Sequence, residues 1–267
     1  MSERDGYRLQ VAGDADRASP DLLPAVDCRR ATAGAGWQWI SQGFALFMKQ
    51  PLLWVGVIVL LFIIRVLLSL HPLLLPFSTL LAPVFAGGLV LGARHCDLSA
   101  NMQIADLFAG FGQRFGRLFL IGLLFLLGMV LIMVLAALVL MFSVGPDNLE
   151  MLATAEDVAS EQALLVAASG GALISLLVAA ALAAPLLMAY WFAPALVVFN
   201  PERGALDAMR QSLQACLHNW LPLLVYGLIL LPLFVAASIP MGLGLLILMP
   251  VIAASNYAAY KDIFAGG

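Results

Sequence analysis

The chain has 267 residues, of which 63% are hydrophobic and only 11% are charged, and its net charge is −3 at neutral pH. Soluble domains carry about 25% charged residues, so this composition excludes a soluble globular protein and indicates an integral membrane protein. The N-terminal stretch is the exception. Residues 1–34 mix charges of both signs with Pro, Gly and Ser and show no helical period, which predicts a disordered tail.

The rest of the chain, residues 35–264, is predicted to be an all-α membrane domain. Its apolar runs predict six transmembrane spans, at about 51–70, 72–93, 118–143, 172–196, 221–238 and 242–260. The fourth span belongs to the uncharged run 164–199. As one helix this run is about 54 Å long, against a hydrocarbon core of roughly 30 Å. It is therefore long enough for one crossing with excess or for two.

The basic residues decide between these alternatives. A single crossing places twelve of the thirteen Lys and Arg residues on one side of the membrane, whereas a double crossing moves Arg203 and Arg210 to the other side. The segment 144–162 contains acidic residues but no Lys or Arg. We therefore predict one long helix that starts near residue 155, six spans, and both termini in the cytoplasm of a bacterial cell.

Pro83, Pro185 and Pro250 occupy similar positions in the second, fourth and sixth spans. Arg94 follows Pro83 by eleven residues, and Lys261 follows Pro250 by the same distance, which is about 16 Å of helix. This spacing predicts that the prolines lie near the membrane midplane and bend their helices. The alternative is that prolines, which are common in membrane helices, coincide here by chance.

Amphipathic stretches precede the first, third and fifth spans, within residues 36–56, 105–122 and 205–227. Apolar residues in the third stretch recur with a helical period, as in a helix that lies in the membrane interface. Together with the prolines, these stretches predict three tandem transmembrane hairpins, each preceded by an amphipathic interfacial helix.

Arg65 is the one ionisable residue inside a predicted span, which makes it a functional candidate by default. It lies close enough to the predicted outer turn at His71 for its side chain to reach the headgroups, so we expect it to snorkel. The alternative is that Arg65 binds an anion or a lipid headgroup.

Four further polar side chains in the predicted spans are candidates for a transport pathway: Tyr190, Tyr226, Asn256 and Tyr257. A cavity shared by them would favour transport, whereas a solidly packed core would favour an accessory role. The spans contain no Asp or Glu, and this argues against an ion-coupled carrier, which needs a group that titrates or coordinates the ion.

The sequence contains no P-loop, nucleophile elbow, zinc-protease motif or dinucleotide fingerprint. The Cys and His residues lack the spacing of a metal site. We therefore expect no catalytic residues, cofactor or metal, and no enzymatic activity.

Two stretches near the C-terminus, WFAPALVVF…ALDAMRQSLQACLHNWLPLLVYGLILL and IPMGLGLLILMPVIAASNYAAYKDIF, resemble an uncharacterised family of bacterial six-span inner-membrane proteins. The stretch GWQWISQGFALFMKQPLLW is similar to the start of the same family, and the resemblance covers residues 34–264. More loosely, the chain is similar to the membrane domain of glycerophosphodiester phosphodiesterases. The resemblance implies an inner-membrane topology and supplies no catalytic residues.

Two functions follow as hypotheses. The first is a non-enzymatic accessory protein that organises or assists other membrane components or lipids. The second is a transporter or conduit for small molecules or lipids that uses the helices kinked at the midplane. We expect membrane lipids and other membrane proteins as partners and no nucleic acid, and the sequence leaves the oligomeric state open.

Overall fold

The computed structural model describes residues 28–99, 101–144, 158–200 and 202–265. All regular secondary structure in these residues is helical, as predicted. The α-helices are α1 (Ala35–Lys49), α2 (Pro51–Ser69), α3 (Leu75–Ser99), α4 (Phe115–Val144), α5 (Val158–Trp191), α6 (Ala193–Phe199), α7 (Ala205–His218), α8 (Trp220–Ser238) and α9 (Leu245–Phe264). Two segments, Pro72–Leu74 and Ile104–Phe111, are 3₁₀ helices.

Five helical segments in the described residues are long and apolar enough to cross a membrane: Pro51–Ser69, Pro72–Ser99, Phe115–Ser143, Gly170–Phe199 and Trp220–Ser238. No more than 33% of the most apolar stretch of any of them is buried inside the protein. Their apolar side chains therefore face mainly outward, which suits helices surrounded by lipid and would be unfavourable in water.

The sixth predicted span, 242–260, corresponds to α9, which is not among these five. The first half of α9 is apolar, but its second half contains Asn256, Tyr257, Lys261 and Asp262. Many residues of this second half are buried against other helices. The described structure thus provides five candidate spans by composition, and the sixth stays a prediction.

The long apolar run 164–199 is not one continuous helix, because α5 ends at Trp191 and α6 begins at Ala193. The Ser212 hydroxyl of α7 is inserted at the break. It accepts a hydrogen bond of 2.9 Å from the Phe192 N–H and donates one of 2.6 Å to the Met188 carbonyl. A side chain that enters the helical ladder in this way is a known cause of a break, and Pro194 removes a further N–H donor. Gly170–Phe199 still forms a single candidate span. The predicted start of the long helix, near residue 155, lies outside the described residues.

The segments before the first, third and fifth spans pack closely on other helices. α1 lies against α9, Ile104–Phe111 lies against α3, and α7 lies against α5. Glycine permits the closest approaches: a Cβ atom on Gly43 of α1 would be 2.7 Å from backbone atoms of α9, and one on Gly110 would overlap the Val84 carbonyl of α3. These segments are integral parts of the packed structure.

The structure corrects one detail of the predicted segments. Ile104–Phe111 is a 3₁₀ helix, not an amphipathic α-helix. The side chains of Gln103 and Asp106 form a capping box at its start. Gly110 and Gly112 favour a helix poorly, so the segment ends after eight residues.

The buried core lies where α6 and the second half of α9 meet. The rings of Phe199 and Tyr260 have centroids 5.0 Å apart, those of Tyr260 and Phe264 are 5.1 Å apart, and Phe264 contacts Phe192 at 5.7 Å. All four side chains are almost completely inaccessible to solvent. The core is thus concentrated at one end of the helices, and their other halves are left to face lipid.

Of the predicted tail, residues 1–34, the first 27 residues lie outside the described part of the chain. Residues 28–34 are described and are attached to this core. The Arg29 N–H donates to the Ile263 carbonyl at 2.9 Å, and the Ala31 N–H donates to Asn219 Oδ1 at 2.7 Å.

The three predicted kink prolines all lie inside helices: Pro83 in α3, Pro185 in α5 and Pro250 in α9. Each removes one backbone hydrogen bond from its helix. Their equal depth in the membrane stays a prediction.

Candidate functional site

Charged side chains of three helices meet around a cavity of about 350 Å³ between α1, α3 and α9. We call it the charged cavity. Its polar lining consists of Gln38, Gln42, Lys49, Asp97, Tyr257, Lys261 and Asp262.

Asp97 of α3 is the centre of this group. Its carboxylate accepts a hydrogen bond from Lys261 at 3.0 Å and one from the Tyr257 hydroxyl at 3.1 Å. Lys261 and Tyr257 reach the same carboxylate because they are four residues apart and so lie on one face of α9. Lys49, the last residue of α1, lies 3.9 Å from the carboxylate. Asp97 therefore connects three helices through charge.

Further hydrogen bonds hold Lys49 and the second acidic residue, Asp262, in place. Lys49 Nζ donates to the backbone carbonyls of Cys96 at 3.2 Å and Asp97 at 3.0 Å. Asp262 accepts a hydrogen bond of 2.9 Å from the indole N–H of Trp39. The cavity thus has two cationic and two anionic side chains, which are largely paired with one another or with neutral donors. This pattern is typical of a network that joins helices.

Sequence reasoning singled out Tyr257 but not its partners Lys49, Asp97 and Lys261. The spacing of Tyr257 and Lys261 is a signal that a shared partner exists, but nothing in the sequence identifies Asp97 as that partner.

A second cavity, of about 220 Å³, contains Arg65. We call it the Arg65 cavity. It lies between α2, α3 and α5, and its polar side chains are Arg65, Ser78 and Tyr190. Apolar residues of α2 and α3 form the remaining walls. The structure therefore brings together two candidates, Arg65 and Tyr190, that are far apart in the sequence.

The neighbours of these two residues differ in kind. The Tyr190 ring packs on Phe125 of α4, with centroids 4.7 Å apart. Arg65 is exposed, so the cavity is open beside it. Among the described residues, no acidic side chain lines this cavity.

The other two candidates lie elsewhere. The Tyr226 hydroxyl is buried and lies 2.7 Å from Ser255 Oγ, in a hydrogen bond between α8 and α9. Asn256 Oδ1 is buried, with no hydrogen-bond partner in the part of the chain that the structure describes. Tyr226 also lines an apolar cavity of about 330 Å³ beside Trp191. Within the described residues, Tyr190, Tyr226 and Tyr257 thus line three different cavities.

Two of the cysteines outside the candidate spans are poorly suited to thiolate chemistry. Burial raises the pKa of Cys216 to about 12, and it also raises the pKa of the Cys28 thiol. The Cys28 sulfur contacts the Asn219 amide at 3.6 Å. At neutral pH both side chains are protonated thiols that pack in the structure.

Several long apolar helices with outward-facing side chains define a polytopic helical membrane protein. Residues 46–266 match the model of the family described as "Protein of unknown function (DUF975)". The chain belongs to this family. This result confirms the resemblance to an uncharacterised membrane-protein family, whereas the looser likeness to glycerophosphodiester phosphodiesterases stays a prediction.

A relative in Burkholderia thailandensis, described as a probable inner membrane protein, is 31% identical over 240 residues. The alignment covers 85% of this chain and 82% of the relative. No solved structure matches the chain.

Proposed function

We propose that this protein is a non-enzymatic accessory protein of the bacterial inner membrane that interacts with lipids and assists other membrane proteins. The observation that carries the proposal is the separation of the polar side chains. Tyr190, Tyr226 and Tyr257, which a transport pathway would be expected to share, line different cavities in the described structure. The helices form a packed body, and its polar cavities lie at the surface.

The proposal includes six spans with both termini in the cytoplasm, α9 being the sixth. The distribution of basic residues supports this orientation. On this arrangement the charged cavity lies at the cytoplasmic end of α9, where lysines such as Lys49 and Lys261 lie close to the anionic headgroups of that leaflet.

The proposal also includes three tandem units, and the packing of the helices supports it. Each segment before an odd-numbered span lies on an even-numbered one: Ile104–Phe111 on α3, α7 on α5, and α1 on α9. The contact between α1 and α9 joins the first unit to the last. Gly43 meets the carbonyl of Val251, and Gly110 meets that of Val84. Both carbonyls belong to the residue directly after a proline, as equivalent positions in a repeat would require.

The test is purification of the tagged full-length protein from native membranes, followed by mass spectrometry of bound lipids and proteins. Membranes with the tag on an unrelated protein of similar hydrophobicity are the control. We expect reproducible enrichment of a lipid class and of at least one membrane protein. Lack of enrichment of either, together with solute or lipid flux in vesicles that contain the purified protein, would contradict the accessory role and support a conduit.

A further inference from the structure

We propose that the Arg65 cavity binds a phosphate oxyanion, with a membrane phospholipid as the source that its walls favour. The inference deepens the proposed lipid interaction, on which it rests, by assigning it a site. It concerns the Arg65 guanidinium of α2, the Tyr190 hydroxyl of α5 and the space of about 220 Å³ between them.

The direction of the Arg65 side chain is the first argument. Arg65 lies in the last two turns of α2, which ends at Ser69. Leu61 and Leu68 share a face of α2 with Arg65 and line the same cavity, so the Arg65 side chain lies on the face of α2 that borders the space lined by Tyr190.

The charge of the cavity is the second argument. Among the described residues, Arg65 takes part in none of the ion pairs, such as those of Lys49 and Lys261 with Asp97. No acidic side chain in the described structure lines the cavity. A guanidinium surrounded by apolar walls is stabilised by an anion, and phosphate matches its planar set of donors with two parallel hydrogen bonds.

The walls of the cavity are the third argument. Tyr190 adds a neutral hydroxyl donor, whereas the α2 and α3 walls are mainly Leu, Ala and Phe side chains. The cavity is open beside Arg65, which is exposed. A phosphodiester that carries acyl chains satisfies the charge and the apolar walls together, whereas a free phosphate satisfies only the charge.

The test measures thermal unfolding of the full-length protein in detergent by tryptophan fluorescence. The probes are short-chain phosphatidylglycerol, inorganic phosphate and glycerol 3-phosphate. At about ten times its Kd, phosphatidylglycerol is expected to raise the Tm of the parent protein by about 3–6 °C. Arg65→Gln should weaken this binding about tenfold or more, since it loses the charge-assisted hydrogen bonds. Arg65→Lys should be intermediate, because it keeps the charge without the planar fork.

Arg210→Gln is the matched control, since Arg210 is an exposed arginine of α7. An equal loss of binding in Arg65→Gln and Arg210→Gln would overturn the site, as would a parent protein whose Tm responds to no probe. If Arg65→Gln does not fold, Tyr190→Phe replaces it and should weaken lipid binding while leaving the Tm without lipid nearly unchanged. Tyr190→Phe binding that equals the parent's would then overturn the site.

The soluble probes separate the two sources of phosphate. Stabilisation by inorganic phosphate or glycerol 3-phosphate that equals that of the lipid and depends on Arg65 would support the anion site and overturn the lipid source. If native membranes yield partners but no lipid binding depends on Arg65, the accessory role stands and this site is overturned.

Discussion

Asp97 is the residue on which the charges of three helices converge. Its carboxylate faces the amines of Lys261 and Lys49 and the hydroxyl of Tyr257. Both amines are partly exposed, with side-chain exposures of 42% and 39%, so solvent screening weakens each ion pair. The stability of the network therefore comes from several modest contacts.

Replacing Asp97 with Asn should lower stability by about 1–2 kcal/mol, because two lysines lose their counter-charge while the hydrogen-bond geometry is largely kept. The expected decrease in Tm is a few degrees. Asp207→Asn is the control, since Asp207 is exposed on α7. The prediction fails if the two variants unfold at the same temperature in low-salt detergent buffer.

Ser212 shows how one hydroxyl determines a helix break. It is completely buried and lies between the Phe192 N–H and the Met188 carbonyl. Ser212→Ala should cost about 1–3 kcal/mol, because both backbone groups lose their buried partner. The exposed Ser69, which donates to the Val66 carbonyl, provides the control variant Ser69→Ala, which should be nearly neutral. Equal unfolding temperatures for the two alanine variants would show that the hydroxyl does not support the break.

At the scale of elements, α1 is a packed part of the protein whose exposed side carries both aromatic and polar side chains. Trp39 and Phe47 are buried, whereas Trp37 and Phe44 are exposed. Such a helix suits the membrane interface on one side and protein on the other. Gly43 is the point of closest contact with α9.

Two glycines with opposite surroundings test this packing. A methyl group on Gly43 would lie 2.7 Å from the backbone of α9, whereas one on Gly56 of α2 would meet no atom within 4 Å. Gly43→Ala should therefore destabilise the protein by about 1–3 kcal/mol. Gly56→Ala should stabilise it by up to about 1 kcal/mol through helix propensity. The Tm values of the two variants should move in opposite directions, and a rise in both would mean that α1 is loosely attached.

At the scale of the whole molecule, orientation is the main prediction. Single cysteines introduced at positions 150 and 207, in a background where Cys28, Cys96 and Cys216 are replaced with Ser, separate the two topologies. With one crossing in 164–199, a membrane-impermeant maleimide should label position 150 in intact cells and position 207 only after lysis. The acidic segment and the distribution of basic residues predict this orientation.

Labelling of position 207 in intact cells would show two crossings between residues 164 and 199. In that case α7 and all residues after it would lie on the opposite side of the membrane from the one predicted. A second position in the C-terminal part of α7, such as His218→Cys, should follow position 207 in either case and serves as an internal control.

Composition and hydropathy alone were sufficient for the helical class and for the positions of most membrane-competent segments. The reason is that lipid imposes a local requirement: a stretch of about 20 apolar residues with its backbone bonds satisfied internally can be recognised without knowing its neighbours. The family resemblance also required only the sequence. The second pre-span segment, predicted as an interfacial helix, is a 3₁₀ helix of eight residues that packs on α3, and its amphipathic pattern does not reveal that contact.

Only the tertiary structure decided which side chains meet. Asp97 contacts residues 48 and 164 positions away, and Ser212 enters a helix that ends more than 20 residues before it. Arg65 and Tyr190 likewise share a cavity although α3 and α4 lie between them along the chain. Such contacts depend on how helices pack, and packing is determined by the shapes of whole surfaces. The sequence therefore predicts that a charged residue such as Arg65 is unusual in a span, but only the fold identifies the residues around it.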